Sequence, residues 1–220
     1  MADILSAISL SPLSSVSIVA ILVAGFSGIV RFQQLPSSLR YLAALTIFEL
    51  PLELLGFWLM LVQHNNLFLM PIYTVGELVL LALLYKRTIR SATFSRVMPG
   101  IVGAFIVYVG FDSLLGPSLH WFRPGQQVVQ SLLVLGMVGW YFWKLMSELR
   151  VRHLEQEPMF WVSTGLVIYF LGYLQIALFS NYLLRHYSAA FNRNVWAVEI
   201  LLTIVLHSCY SLALWIRPRK

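Results

Sequence analysis

Seven apolar stretches, each about twenty residues long, alternate with short polar segments along the chain. The first covers 12–32 and ends in Gln33-Gln34-Leu35-Pro36-Ser37-Ser38. The second covers 41–62 and stops at Gln63-His64-Asn65-Asn66, and the third covers 67–85 and closes on Lys86-Arg87. The fourth, 97–115, follows a connection holding Arg90 and Arg96 and ends at Gly116-Pro117. The fifth covers 125–146 and the sixth 158–180. Pro158 suits a first helical turn, where its missing N–H would have no partner anyway. The seventh covers 194–216 and runs into Arg217-Pro218-Arg219-Lys220. A helix rises about 1.5 Å per residue, so about 20 apolar residues cross about 30 Å of hydrocarbon. The pattern predicts an all-α fold, a polytopic membrane bundle of seven transmembrane helices.

Composition agrees with lipid as the solvent. Of 220 residues, 59% are hydrophobic and 11% charged, and mean hydropathy is +0.79. A soluble domain carries roughly 25% charged residues. Seven spans leave no length for a separate soluble domain, so 1–220 is expected to be one seven-helix transmembrane domain. Residues 1–15 include Asp3 and lack a basic stretch, which reads as a short outer segment rather than a signal peptide.

The net charge of +6 does not point to nucleic acid, because the basic residues gather at helix ends. With the N-terminus outside, Arg31, Arg40, Lys86, Arg87, Arg90, Arg96, Lys144, Arg150, Arg152, Arg217, Arg219 and Lys220 fall inside. That is twelve of the fifteen Lys and Arg; Arg123, Arg185 and Arg193 fall outside. The excess predicts an outer N-terminus and a cytoplasmic C-terminus. Trp58, Trp121 and Trp196 then mark the outer boundary and Trp143, Trp161 and Trp215 the inner one, with Trp140 deeper as packing. Lys144 is expected to extend to the headgroups. Gly25 and Gly28, Gly100 and Gly103, and Gly165 and Gly172 read as points of close helix approach.

Charges within hydrocarbon cost about 2.5–3.5 kcal/mol each on insertion scales, so intramembrane ionisable residues need a reason. Glu49 and Glu53 lie four apart and share a face, with Pro51 between them freeing a carbonyl near Thr46 or Phe48. Tyr73 and Glu77 are likewise four apart. Glu199 and His207 are eight apart and can point inward together. Asp112 lies nearer the outer side, and Gln126, Gln127, Gln130 and Gln175 add amides there. Two readings compete: polar contacts between helices, and a ligand or proton pocket in the outer half of the bundle built from Glu49, Glu53, Tyr73, Glu77, Glu199 and His207.

Other chemistry finds less support. Cys209 is the single cysteine and reads as a small core residue. Cys/His zinc spacing is absent, so no metal or other cofactor is expected. A haem held by two histidines needs a partner for His207, and His64, His120, His153 and His186 fall in loops or at boundaries. A retinal Schiff base needs a buried lysine, which the seventh helix lacks. Ser163, Ser208 and Cys209 have no base-and-orienter spacing, and no catalytic residue is assigned.

Three stretches carry a family resemblance. One is His64-Asn65-Asn66-Leu67 with Pro71-Ile72-Tyr73-Thr74-Val75-Gly76-Glu77. The second is the run from Pro158 to Gly172. The third combines Val195-Trp196-Ala197 with Leu212-Ala213-Leu214-Trp215. Together they resemble a group of small seven-helix inner-membrane proteins of Bacteroidota, similar to the membrane-sensor region of some histidine kinases. The resemblance marks Tyr73, Glu77, Trp161, Gly165 and Tyr169. It implies an inner (plasma) membrane location and signalling through a separate partner, a histidine kinase or another membrane protein. The last helix departs from the group's pattern, with Glu199 near the position of a histidine. The expected function is a non-enzymatic sensor or accessory protein. The basic connections Lys86–Arg96 and Lys144–His153 are candidate contact surfaces, although topology alone explains their charge. Two alternatives stay open, a small proton- or cation-coupled transporter and a membrane-embedded lipid-modifying enzyme.

Overall fold

A computed structural model describes residues 12–62, 64–115, 124–148 and 154–216. They form seven long helices: α1 Pro12–Arg31, α2 Leu39–Leu61, α3 Met70–Ile89, α4 Ala92–Leu115, α5 Pro124–Glu148, α6 Pro158–His186 and α7 Ala189–Trp215. All seven are long and apolar enough to cross a membrane. The chain is a multi-pass membrane protein. Trp121, Arg123, His120, Arg150, Arg152, His153, Arg217, Arg219 and Lys220 lie outside the described residues.

Local chemistry sets the helix ends. Prolines open α1, α5 and α6, where no N–H is needed. The Ser188 hydroxyl accepts the Phe191 amide at 3.3 Å and caps α7. The connection between α3 and α4 is shorter than the sequence suggests. Arg90 takes a left-handed conformation (φ 49°), and the Ser91 hydroxyl accepts the Phe94 amide at 3.4 Å. Only Arg90 and Ser91 separate the two helices, so Arg96 stands inside α4 rather than in a loop. Likewise α6 continues to His186 and α7 begins at Ala189, beyond the expected 180 and 194. Polar residues end a hydropathy stretch without ending the backbone ladder, which continues where side chains reach water.

Six helices close into a ring in the order α1, α2, α3, α5, α6, α7, with α7 returning to α1. Helix α2 also touches α7 across the ring, and α4 packs outside it, principally on α3. Ring closure depends on small residues. A Cβ on Gly28 would collide with Thr46 Oγ1 and press on the Ala43 backbone. One on Gly165 would lie 2.8 Å from Cys209 Cβ, and one on Gly172 would strike Leu202. Gly100 and Gly103 behave otherwise: a Cβ there meets nothing within 4 Å, because they lie on the unpartnered side of the outlying α4.

The end of the bundle that carries Arg31 and Lys144 is densely packed. Leu42, Leu45, Leu81, Leu84, Tyr85, Val138, Leu166 and Tyr210 are buried in one continuous core. Tyr85 and Ser163 share a buried hydrogen bond of 2.8 Å. Arg31 is not a free topology signal. Its guanidinium donates to the Leu214 carbonyl at 2.5 Å and lies 5.1 Å from the Trp215 ring centre. The Trp215 indole N–H donates to Ser27 Oγ at 3.0 Å, completing a clasp between α1 and α7. Lys144 has definite partners at the same end. Its ammonium donates to the Ile89 carbonyl at the end of α3 and pairs with Glu148 at 3.4 Å. A cation at a helix C-terminus satisfies orphan carbonyls and opposes the dipole. Trp140 packs edge-on against Phe94, ring centres 5.5 Å apart.

Candidate functional site: an acidic cavity within the bundle

At the opposite end the ring surrounds a half-open cavity of about 330 Å³. Helices α1, α2, α3, α5, α6 and α7 all contribute to its wall. Glu53 comes from α2, Tyr73 and Glu77 from α3, and Glu199 and His207 from α7. Glu49 stands behind His207, its Oε2 3.5 Å from the His207 Nε2. The structure therefore brings the six residues singled out in the sequence to one place. Asp112 and Gln175 are elsewhere: Asp112 accepts from Gln126 Nε2 at 2.6 Å between α4 and α5, and Gln175 is exposed.

Helical spacing explains the arrangement. Glu199, Thr203 and His207 follow each other at intervals of four on one face of α7. The Thr203 hydroxyl donates to Glu199 Oε1 at 3.3 Å, and the Thr203 carbonyl faces His207 Nδ1 at 2.9 Å. A carbonyl only accepts, so Nδ1 carries the hydrogen and Nε2 is the nitrogen turned toward Glu49. On α2, Pro51 lies on the exposed side while Glu49 and Glu53 face inward. The ring of Pro51 removes the bond to the carbonyl four residues earlier, that of Ile47. The helix nevertheless runs unbroken from Leu39 to Leu61.

The carboxyls on α3 and α7 have amide or hydroxyl company. Gln130 Nε2 donates to Glu77 Oε2 at 2.6 Å, and Gln127 Nε2 donates to Thr74 Oγ1 at 3.3 Å. Both glutamines are buried and line the cavity from α5. The wall is also aromatic: Phe57, Tyr73, Tyr169, Phe170, Tyr173 and Trp196 line it, with Tyr169 and Tyr173 stacked at 5.5 Å. Trp196 is one of the wall residues. The sequence reading also left out Ser14, Ser17 and Thr203. The hydroxyls on α1 carry no sequence signal, since serines are ordinary close-packing residues in membrane helices.

Electrostatically the cavity is one-sided. Its described lining holds three carboxyl side chains, a fourth lies behind His207, and no Lys or Arg is among them. Glu49 and His207 are the most secluded members, with side chains 1% and 2% exposed. Neither Glu49 oxygen nor His207 Nε2 has a hydrogen-bond partner at normal distance. Electroneutrality asks for one proton between them, carried either as carboxylic acid facing imidazole or as carboxylate facing imidazolium. Outside the spans, burial pushes the Glu157 carboxyl up, offset in part by the Met159 amide.

No family model matches the chain, and neither a curated protein nor a solved structure shows significant similarity to it.

Proposed function

We propose that this protein is a non-enzymatic sensor or accessory protein of the inner (plasma) membrane, which receives a proton or a small cation in the acidic cavity. The N-terminus and the cavity face outward, and the basic end faces the cytoplasm. Occupancy changes how α2 packs on α7, and a separate membrane partner, such as a histidine kinase, reads the change. The observation that carries this reading is the buried Glu49–His207 contact across the ring, in which the Glu49 oxygens and His207 Nε2 have no third partner. Adding or removing one proton there leaves an uncompensated buried charge, which costs several kcal/mol per ion. That sum is large enough to shift a packing equilibrium between two states.

The test uses the protein in nanodiscs. Hydrogen exchange of α2 and α7 is measured as pH falls from 8 to 5, in wild type and in the Glu49→Gln, His207→Gln double variant. A pH-dependent change in wild-type protection that the variant lacks is the expected result. Identical profiles would refute the reading. Reporter fusions after residues 87 and 220 give the same cytoplasmic signal if the orientation holds.

A second reading, proton- or cation-coupled transport, draws on one observation: the carboxyls of α2, α3 and α7 share a single cavity. It predicts cation flux into proteoliposomes that Glu77→Gln abolishes. A pure sensor binds without flux.

A further inference from the structure

The packed half of the bundle is not uniformly apolar. We infer that a file of buried hydroxyl groups crosses it and, completed by internal water molecules, carries protons between the Glu49–His207 pair and Glu157 at the basic end. This inference rests on the reading that the pair takes up a proton, and it gives that proton a route to the opposite face.

The unpaired polar atoms mark the route. Among the described residues, the buried side-chain atoms without a hydrogen-bond partner are both Glu49 oxygens, His207 Nε2, Tyr210 Oη, Ser211 Oγ and Tyr141 Oη. Helical rise gives their depths. On α7, Tyr210 stands three residues beyond His207, about 4.5 Å nearer the basic end. On α3, Tyr85 lies eight residues beyond Glu77, about 12 Å deeper than the cavity wall. On α5, Tyr141 lies eleven residues beyond Gln130, the partner of Glu77, about 16 Å deeper. Helix α6 runs the other way. Ser163 precedes the wall residue Tyr169 by six residues, and Glu157 precedes Ser163 by six more, about 9 Å for each step. Neighbouring members meet. The His207 and Tyr210 ring centres are 5.8 Å apart, and those of Tyr85 and Tyr141 are 6.1 Å apart. Tyr85 and Ser163 share their hydrogen bond of 2.8 Å. Tyr210 interacts electrostatically with both Glu49 and Tyr85, and Tyr141 with Glu157.

Packing alone does not ask for these hydroxyls. Phe94 and Phe170 fill the same core with no polar atom, and a buried hydroxyl without a partner costs stability. Buried polar atoms are ordinarily paired, and internal water pairs those that protein groups leave open. Water beside Tyr210 joins the Glu49–His207 pair to Tyr85, and water beside Tyr141 joins Tyr85 to Glu157. A hydroxyl donates and accepts at once, so protons pass along such a file by relay. Each transfer breaks one O–H or N–H bond as the next forms, and a proton accepted at one end is matched by a proton released at the other. No electron moves, and water is the only added participant.

The test is proton flux into liposomes that hold the full chain and the pH dye pyranine, driven by a potassium gradient made conductive with valinomycin. The wild type should change the internal pH about tenfold faster than protein-free liposomes do. Tyr85→Phe, Tyr141→Phe and Tyr210→Phe each keep the ring that packs the core and remove the hydroxyl, and each should cut the flux about tenfold. Tyr182→Phe, on the exposed side of α6, should leave it unchanged. The comparison of wild type with protein-free liposomes stands even if a variant fails to fold, and thermal unfolding in detergent identifies such a variant. If the wild type shows no flux while the pH response of α2 and α7 persists, the hydroxyls are structural only, the file is refuted and the proton-uptake reading survives. If neither is seen, both fall. Flux that all three file variants retain would also overturn the inference, since protons would then pass elsewhere.

Discussion

The two halves of α2 are nearly equal in length, yet they live in different surroundings. From Leu39 to Glu49 the helix buries Leu39, Leu42, Ala43, Leu45, Thr46 and Glu49. Beyond Glu49, through Leu61, it buries no residue. The first half packs into the apolar core, and the second half borders the cavity. The same contrast divides the bundle. At one end leucines, Tyr85 and Tyr210 interlock. At the other, carboxyls, amides and hydroxyls stand around open volume. Lipid tails are as apolar as leucine, so a membrane protein gains stability from close packing rather than from removing apolar area from water. The packed half therefore holds the ring together, which leaves the other half free to carry costly polar groups.

That contrast can be broken by substitution, most severely in the packed half. Leu45→Ala should cost about 3 kcal/mol, through lost contacts and the cavity left behind. Leu54→Ala, on the exposed side of the same helix, should cost under about 0.5 kcal/mol. Reversible unfolding in mixed micelles with dodecyl sulfate measures both. Equal losses would mean that the halves do not differ in packing. Next in size is overfilling of a helix contact. Gly165→Val should cost about 2 kcal/mol by driving a side chain into Cys209, whereas Gly103→Val on open α4 should be neutral. Thermal aggregation in detergent is a sufficient readout.

Smaller effects sharpen the other half of the comparison. A double-mutant cycle of Glu49→Gln and His207→Gln should give a coupling of about 1 kcal/mol. Additive losses would show that the two side chains do not interact across the ring. The smallest effect expected is that of Gln130→Leu, about 0.6 kcal/mol, for its single hydrogen bond to Glu77. Unfolding measured alongside the cycle resolves it. A loss as large as that of Leu45→Ala would place the cavity wall among the elements that hold the fold.

The spans were legible in the sequence because lipid imposes one demand on each, about 20 apolar residues with every backbone group paired inside the helix. The cavity was partly legible for the same reason. An ionisable group in hydrocarbon is conspicuous, and spacings of four put Glu49 with Glu53 and Tyr73 with Glu77. The order of the ring was hidden. These helices are apolar all round, so no stripe announces an inward face, and nothing in the pattern of α4 sets it outside. The partners of the charges were hidden as well. Arg31 and Lys144 looked like topology signals, and only the fold puts the Leu214 and Ile89 carbonyls within their reach. Gln130 stood out as polar, but its pairing with Glu77 depends on the register between α3 and α5.

That register exposes the role of the outlying helix. Thr74 meets Gln127, Glu77 meets Gln130 and Ile89 meets Lys144, so α3 and α5 run in the same direction as ring neighbours. Two parallel strokes cannot follow each other directly; the chain must first travel back, and α4 is that return stroke. Excising it would turn α5, α6 and α7 upside down. Gln130, Glu199 and His207 would then emerge at the far surface from Glu53 and Glu77. A helix that contributes no wall residue thus decides, by parity alone, that the acidic groups from the first and last parts of the chain occupy one depth.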